Sequence, residues 1–198
     1  PTRSMTLVGD PAQTADEAGC GSWEGVLSPY VGERWELVRL GVNYRTPAEI
    51  MEVAAAVLRT RDPGFEPPRS VRATGVRPWA HATGDLAAAT REAVARELPA
   101  EGRLAVIAPR ARHAVLAAAL PGVRAGAEPD LTRQVVLLDP RQAKGLEFDT
   151  VIVVEPAELR PSDLYVALTR ATQSLGVVHT AGRLPAGLAD TPEGLLRR

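Results

Sequence analysis

The sequence predicts an α/β fold in which a mostly parallel sheet is covered by helices on both faces. Short, continuous apolar runs, which are typical of strands buried on both sides, alternate along the chain with longer segments of helical periodicity. Parallel strands require a crossover connection, and helices between the strands supply it. With 198 residues, of which 45% are apolar, the chain is long enough to close such a core.

The apolar runs predict strands at residues 5–8, 37–40, 104–108, 135–138, 151–154 and 175–178. The helix that starts at Thr46 has the clearest signals, because Thr46, Pro47 and Glu49 match a capping box and apolar residues follow at three- and four-residue spacing. Ala-rich segments at 85–98 and 112–120, each closed by proline, predict two more helices. Residues 60–78 and the tail from 182 onward are predicted to be loops.

Composition excludes several classes of protein. The 23 basic and 24 acidic residues leave a net charge of −1, without the basic surplus expected of a self-contained nucleic-acid-binding domain. The single cysteine, Cys20, rules out an intramolecular disulfide, and the three histidines are too scattered to indicate a metal site, so we expect no metal ligands. No apolar stretch approaches the length of a membrane span and no signal peptide opens the chain, which predicts a cytoplasmic protein without a membrane partner.

Four segments carry the most specific pattern: residues 7–13 (LVGDPAQ), 40–46 (LGVNYRT), 142–148 (QAKGLEF) and 165–171 (YVALTRA). In this order they resemble motifs III, IV, V and VI of the C-terminal motor domain of superfamily 1 helicases of the UvrD and Rep type. The resemblance implies a RecA-like domain of the P-loop NTPase type. A GxxxxGK[ST] loop, whose backbone N–H groups hold phosphates, is absent from the 198 residues. The chain therefore lacks its own Walker A motif, and we expect it to be inactive as an isolated ATPase.

The resemblance divides the chain into three parts. Residues 1–35 correspond to the end of the first motor domain, with the motif III strand and the helix after it. Residues 36–180 correspond to the second RecA-like domain, and residues 181–198 to a C-terminal tail. The implied cofactor is ATP with Mg²⁺, bound between this domain and the first RecA-like domain of the same parent chain, which would hold the metal.

Three residues are implied to act on the γ-phosphate. Arg45 and Arg170 resemble the arginines that the second motor domain supplies, and a guanidinium can hold two phosphate oxygens at once. Gln13 resembles the glutamine that senses the γ-phosphate, since an amide can donate to phosphate and accept from water. Phosphoryl transfer depends mainly on such positioning and charge neutralisation.

Four more residues are implied to contact the nucleotide. Tyr44 resembles the aromatic residue that stacks on adenine, with a core tyrosine as the alternative. Glu147 resembles the acid that accepts a hydrogen bond from the ribose, with a surface carboxylate at a helix end as the alternative. Lys144 and Gly145 are predicted to form a turn near the phosphates or a nucleic-acid backbone, where glycine allows a positive φ or a close approach.

Nucleic-acid contacts are predicted at Trp23 and Thr169. Glu24 stands where the DNA helicases carry arginine, and an acid there would repel a phosphate backbone. A buried tryptophan therefore remains an equal alternative to base stacking for Trp23. Thr169 is predicted either to contact nucleic acid or to cap a turn.

A rule for parallel sheets places ligands at the carboxyl ends of the strands, which predicts that residues 9–10, 43–45 and 142–147 lie at that edge.

Within the superfamily, the chain most resembles the HelD branch, which binds bacterial RNA polymerase, so polymerase is an implied partner. The segments 22–24 and 43–50 support this, as does the interval between Arg45 and Gln142, which is shorter than a hundred residues. That interval has no room for the large domain that UvrD-type enzymes insert there. Alternatives are a UvrD/Rep-type DNA repair helicase, with nucleic acid as its partner, and a module mainly for protein interaction. A RecA-like domain without nucleotide chemistry is disfavoured, because both motif arginines are present.

Overall fold

The computed structural model describes residues 4–13, 22–190 and 196. Its centre is a five-stranded, all-parallel sheet with strand order β3-β7-β6-β4-β5, beside a separate parallel pair, β1 and β2. The strands are β1 (Val42–Asn43), β2 (Arg69–Ser70), β3 (Trp79–Thr83), β4 (Leu104–Ile107), β5 (Val135–Leu138), β6 (Phe148–Val154) and β7 (Ala171–Thr180). The predicted fold class, a mostly parallel sheet flanked by helices, is confirmed.

Most of the helices lie between strands in the sequence, while α1 precedes β1 and α7 follows β7. They are α1 (Trp23–Val31), α2 (Ala48–Arg59), α3 (Leu86–Glu97), α4 (His113–Ala119), α5 (Pro140–Ala143), α6 (Pro161–Leu168) and α7 (Ala186–Ala189), with 3₁₀ turns at Pro11–Gln13, Arg110–Arg112 and Pro156–Glu158. The predicted helices at 85–98 and 112–120 are confirmed as α3 and α4. Asp85 caps α3 through its side chain, which accepts from the Ala88 N–H at 3.0 Å.

Both faces of the sheet are buried, which explains why its strands are apolar at nearly every position. In β4, Ala105 and Ile107 pack with α2 and α6, whereas Leu104 and Val106 pack with α3 and α4. Successive strand residues point to opposite faces, so a strand between two helical layers needs apolar side chains throughout. The predicted strands at 104–108, 135–138, 151–154 and 175–178 all lie in this sheet.

Two predicted strands, residues 5–8 and 37–40, are wrong, because neither segment has strand structure. Their apolar side chains are exposed, and Val8 and Leu40 retain 86% and 82% of their accessible surface. An apolar run indicates a strand only where a neighbouring strand can pair with it. The short strand β1 begins two residues after the second run and pairs with β2, inside the segment that was predicted to be a loop.

The capping box predicted for α2 is also wrong. Pro47 occupies the cap position without a side-chain bond, while Thr46 is buried and its hydroxyl donates to the Thr169 carbonyl at 3.5 Å. Glu49 instead accepts from the Gly75 N–H at 2.7 Å and the Thr74 N–H at 3.3 Å. Tertiary partners thus replace the local cap, and they tie the start of α2 to the motif that ends α6.

The tail is not a simple loop, because α7 lies within it. Leu188 is fully buried, and a Cβ added to Gly187 would meet the Val57 Cα at 2.5 Å, so α7 packs directly on α2. The strand β3 gave little signal in the sequence, since it contains no valine, isoleucine or phenylalanine. Among the described residues no helix has the length and apolarity to cross a bilayer.

Candidate functional site

Three of the predicted site residues meet at one edge of the fold. Arg45 follows β1, Glu147 precedes β6, and Arg170 precedes β7. Together with Asp10 they form what we call the rim. The rim lies at the amino-terminal ends of β6 and β7. The expectation that residues 9–10, 43–45 and 142–147 all lie at the carboxyl edge of the sheet is therefore wrong, since Asp10, Arg45 and Glu147 belong to the rim. Because β5 and β6 are parallel, α5 and the turn after it carry the chain back to the opposite edge.

Arg45 and Glu147 form an ion pair at the rim. The Arg45 Nε lies 2.6 Å from the Glu147 Oε2, and their side chains are 48% and 54% exposed. The pair joins the loop after β1 to the loop before β6. Solvent therefore reaches both charged groups.

The loop that carries Tyr44 and Arg45 is organised by Asn43, whose role the sequence analysis missed. The Asn43 Oδ1 accepts from the Arg45 and Thr46 N–H groups, each at 3.1 Å, and its Nδ2 donates to the Thr46 carbonyl at 2.8 Å. Nδ2 also donates to the Ser70 Oγ on β2 at 3.0 Å. The signal was available, because asparagine favours such bonds to the backbone two and three residues on.

Arg170 is almost fully buried, with 4% of its surface exposed. Its Nε donates to the Val166 carbonyl at 3.0 Å, its Nη1 to the Leu146 carbonyl at 3.3 Å and its Nη2 to the Thr169 Oγ1 at 3.1 Å. Within the described residues no carboxylate lies within ion-pair distance of this guanidinium. Three of its five N–H donors are therefore used, none of them on a carboxylate.

The groups around Arg170 compensate its buried positive charge only in part. Burial lowers the pKa of Arg170, and the nearby Arg45 guanidinium lowers this pKa further. Tyr165, Asp10 and Glu147 act in the opposite direction without reversing the shift. Two guanidinium groups thus lie close enough to repel one another, which favours the binding of an anion between them.

The segment at the start of the chain docks beneath the rim. The 3₁₀ turn Pro11–Gln13 contacts α6, the Gln13 Nε2 donates to the Asp10 Oδ2 at 2.7 Å, and the Lys144 Nζ donates to the Gln13 carbonyl at 3.1 Å. Burial and then the Asp10 charge raise the pKa of Tyr165 to about 12. Asp10, which the sequence analysis did not single out, is therefore a source of negative charge near Arg170 and Tyr165.

Gly145 has the positive φ that its motif predicted, at 84°. No atom lies within 4 Å of a Cβ placed there, so the turn geometry rather than a close approach explains the glycine. Lys144 lies at the end of α5 and is exposed. These two residues form a turn next to Glu147, as expected.

The remaining predicted residues differ in exposure. Tyr44 is 72% exposed, which excludes the core alternative for this side chain. Trp23 is half-buried and its ring packs on Gly9, 3.2 Å from a Cβ placed there, which fits packing better than base stacking. Thr169 is buried, and its hydroxyl donates to the Tyr165 carbonyl at 2.8 Å, which fits the turn-capping alternative.

One comparison with known proteins concerns the part of the chain that carries β5, α5, β6, α6 and most of β7. Residues 134–178 match the UvrD-like helicase C-terminal domain. This segment contains Glu147 and Arg170, whereas Arg45 and the docked residues 10–13 lie before it. No curated protein matches the chain at a significant level.

One solved domain shares the fold. The C-terminal domain of a possible DNA helicase from Lactobacillus plantarum WCFS1 superposes with a TM-score of 0.60 at 22% identity, over 78% of this chain and 98% of that domain. The helicase of PRRSV matches at a TM-score of 0.44 and 17% identity, over 78% of this chain and 26% of that one. An arterivirus nonstructural protein 10 helicase in complex with DNA matches at 0.39 and 18%, over 74% and 34%. The chain thus spans a whole helicase C-terminal domain but only a minor part of the viral proteins.

Proposed function

We propose that this chain is the second RecA-like domain of a superfamily 1 helicase-like ATPase, and that its rim forms one wall of an ATP site. In this proposal residues 36–180 form the domain, residues 1–35 belong to the end of the first motor domain, and residues 181–198 are a tail. One observation carries the proposal: Arg45, Glu147 and Arg170, which come from three distant segments, meet at one rim.

The rim has the chemistry that a nucleotide requires. Arg45 and Arg170 lie close enough to lower the pKa of Arg170, and the bonded partners of the Arg170 guanidinium are neutral oxygens. A polyphosphate would add negative charge beside two arginines whose charge Asp10 and Glu147 offset only in part. Glu147 offers a carboxylate to a hydroxyl donor, and the exposed Tyr44 offers an aromatic face to a base.

Each residue then has a distinct role. Arg45 and Arg170 neutralise charge on the γ-phosphate, Glu147 orients the ribose, and Tyr44 holds the adenine. Gln13, whose side chain is now bonded to Asp10, would orient water at the same end. When bound, Mg²⁺-ATP supplies the phosphoryl group that is transferred to water, and the first RecA-like domain holds the metal. The contribution of this chain is positioning and charge neutralisation.

The experiment compares ATP hydrolysis by the 198-residue chain with hydrolysis by the longer parent protein. We expect no turnover by the chain alone and measurable turnover by the parent. In the parent, Tyr44→Ala should raise KM with little change in kcat, because stacking is made equally in the ground and transition states. The matched control is Tyr30→Ala, an exposed tyrosine on α1. Turnover by the isolated chain, or an unchanged KM in Tyr44→Ala, contradicts the proposal.

A parent of the HelD type, which binds RNA polymerase, is the finer proposal. It is supported by the interval between Arg45 and Gln142, in which α2, β2, β3, α3, β4, α4 and β5 follow one another within the same fold. A duplex-engaging insertion has no place there. Co-purification of the parent with polymerase supports this reading, whereas strong unwinding of a tailed duplex without polymerase binding indicates a DNA repair helicase.

A further inference from the structure

Two side chains that would hold opposite ends of a nucleotide are bonded to each other in this structure. The Arg45 Nε and the Glu147 Oε2 are 2.6 Å apart. This contact requires an explanation, because a guanidinium paired with a carboxylate presents fewer donors to a phosphate. A nucleotide that uses both side chains must separate them.

We propose that the Arg45–Glu147 ion pair is a latch that closes the empty site, and that the polyphosphate of an entering nucleotide replaces Glu147 on the Arg45 guanidinium. This inference rests on the proposed function, since it assigns a regulatory step to the same site. The carboxylate that is released becomes the acceptor for the ribose. Polyphosphate binding and ribose recognition are therefore coupled through one exchange.

The position of the pair makes the exchange feasible. Both side chains are about half exposed, so water can solvate each group as the pair opens. Exposed ion pairs contribute little net stability, whereas a phosphate offers the guanidinium a multiply charged, bidentate partner. Opening the latch therefore requires little free energy, and the binding of a polyanion can supply it.

The backbone under Arg45 is fixed, so only the side chain has to move. The Arg45 N–H donates to the Asn43 Oδ1 at 3.1 Å, and the Arg45 carbonyl accepts from the Arg72 Nη1 at 3.1 Å. Asn43 is itself bonded to Ser70 on β2. A change of side-chain rotamer can therefore release Glu147 without any rearrangement of the loop.

Arg170 provides a contrast within the same rim. Its guanidinium donates to the Val166 and Leu146 carbonyls and to the Thr169 hydroxyl, and a phosphate cannot exchange with these main-chain acceptors without disturbing the end of α6. Arg170 is thus a fixed positive charge next to Arg45. In the empty site Glu147 offsets that repulsion, and in the filled site the phosphate takes over this role.

A double-mutant cycle tests the latch, with inorganic tripolyphosphate as the probe because it has phosphates but no ribose. Binding is measured by calorimetry on the longer parent protein as wild type, Glu147→Gln, Arg45→Gln and the double variant, because the first RecA-like domain completes the proposed site. The latch predicts that Glu147→Gln tightens tripolyphosphate binding about two- to fivefold when Arg45 is present. In the Arg45→Gln background the same change should have almost no effect. For ATP the gain should be smaller, since Glu147 is also lost as the ribose acceptor.

Each outcome has a distinct meaning. An equal gain in both backgrounds shows general electrostatic repulsion and overturns the latch, and so does the absence of any gain while the wild type still binds. If neither the wild type nor Glu147→Gln binds tripolyphosphate or ATP, the latch and the proposed nucleotide site both fail. The matched control is Glu52→Gln, which removes the carboxylate of another exposed pair, with Arg59 at 3.0 Å, and should leave binding unchanged.

Discussion

The two edges of the sheet both combine arginines with carboxylates, but only the rim has, among the described residues, a buried arginine that is bonded to no carboxylate. At the rim, Arg170 is buried and donates only to neutral oxygens. At the other edge, Glu158 accepts two hydrogen bonds from Arg112, at 2.5 and 3.1 Å, and lies 3.6 Å from Arg183. The second group, with Glu155 and Thr180 added, is called the carboxyl-edge cluster.

The pKa shifts follow this difference. Hydrogen bonds from Arg112 lower the pKa of Glu158, and the same contact raises the pKa of Arg112, so each charge is stabilised by its partner. Burial and repulsion instead lower the pKa of Arg170. Charged groups that are paired with each other contribute to the fold, whereas a buried guanidinium without a carboxylate partner at an accessible rim supports the proposed ligand site. Substitutions at the two edges test this difference in function.

The largest effect is expected for Arg170→Ala. Under the proposed function, this change removes a fixed guanidinium from beside the γ-phosphate and should lower kcat for ATP hydrolysis by the parent protein about 10³-fold or more. The control is Arg112→Ala, which removes an arginine from the carboxyl-edge cluster and should leave hydrolysis within about twofold. Circular dichroism checks that both variants fold, and Arg170→Lys tests whether charge alone suffices. Equal losses in the two alanine variants would show that the edges do not differ in function.

The next effect concerns pH and the phenol beneath the rim. Burial raises the pKa of Tyr165 from 10.0 to about 12, so the folded state favours the protonated form. The stability from this group is complete below pH 10 and is lost as pH rises from about 10 to about 12. The full loss should be about 3 kcal/mol, at about 1.4 kcal/mol for each pKa unit.

Denaturant unfolding of wild type and Tyr165→Phe between pH 8 and pH 12 measures this. The wild type should lose stability relative to the variant only in the upper part of the range. Tyr30→Phe, at an exposed position on α1, should keep the wild-type curve. If the stability of the wild type and of Tyr165→Phe depended on pH in the same way, the phenol would ionise in the folded state without a desolvation penalty. The side chain would then be accessible to water.

The sequence predicted the sheet well and the rim only in part. Continuous apolar runs identified β4, β5, β6 and β7, because a strand between two helical layers has no polar side. The same signal failed at residues 37–40, where no strand pairs with the run. Hydropathy reports the tendency of a segment to be buried but not the presence of a partner.

The contacts of the rim depend on the tertiary fold. Neither the ion pair between Arg45 and Glu147 nor the bond from Arg170 to the Leu146 carbonyl has any local sequence pattern. The order of the four motifs indicated that these residues belong together, but not that Arg170 would be buried. Thr46 illustrates the same point, since its hydroxyl serves Thr169 instead of capping α2.

A smaller effect on stability is expected from replacing Glu158 or Glu147, the carboxylates that are paired with arginines at the two edges. Glu158→Gln should cost about 1 kcal/mol at pH 7, because it weakens contacts with two arginines, whereas Glu147→Gln at the exposed rim pair should cost only a few tenths. The lowered pKa of Glu158 gives stability that is present above its ordinary value of 4.5 and is lost as pH falls through the folded value. Thermal unfolding at pH 7 and pH 3 checks both statements. An equal cost for both variants would remove the distinction between the clusters.

An effect of similar size, about 1 kcal/mol, should come from the backbone of the carboxyl-edge cluster. Among the described residues, Glu155 is the non-glycine residue with a positive φ, at φ 51° and ψ 59°. Its buried carboxylate accepts a hydrogen bond from the Thr180 hydroxyl through Oε2, and its Oε1 lacks a partner within the described residues. Glycine adopts this conformation without strain, whereas other residues lose about 1 kcal/mol or more.

Glu155→Gly and Glu155→Ala both remove the carboxylate, so the difference between them isolates the strain. We expect the glycine variant to be more stable than the alanine variant by about 1 kcal/mol in chemical denaturation. Equal stabilities would mean that the backbone at this position is relaxed. If the glycine variant is also more stable than the wild type, the hydrogen bond from Thr180 to Glu155 does not offset the backbone strain and the unpartnered oxygen. Glu155 would then lower the free energy of unfolding, and its presence would need an explanation other than stability.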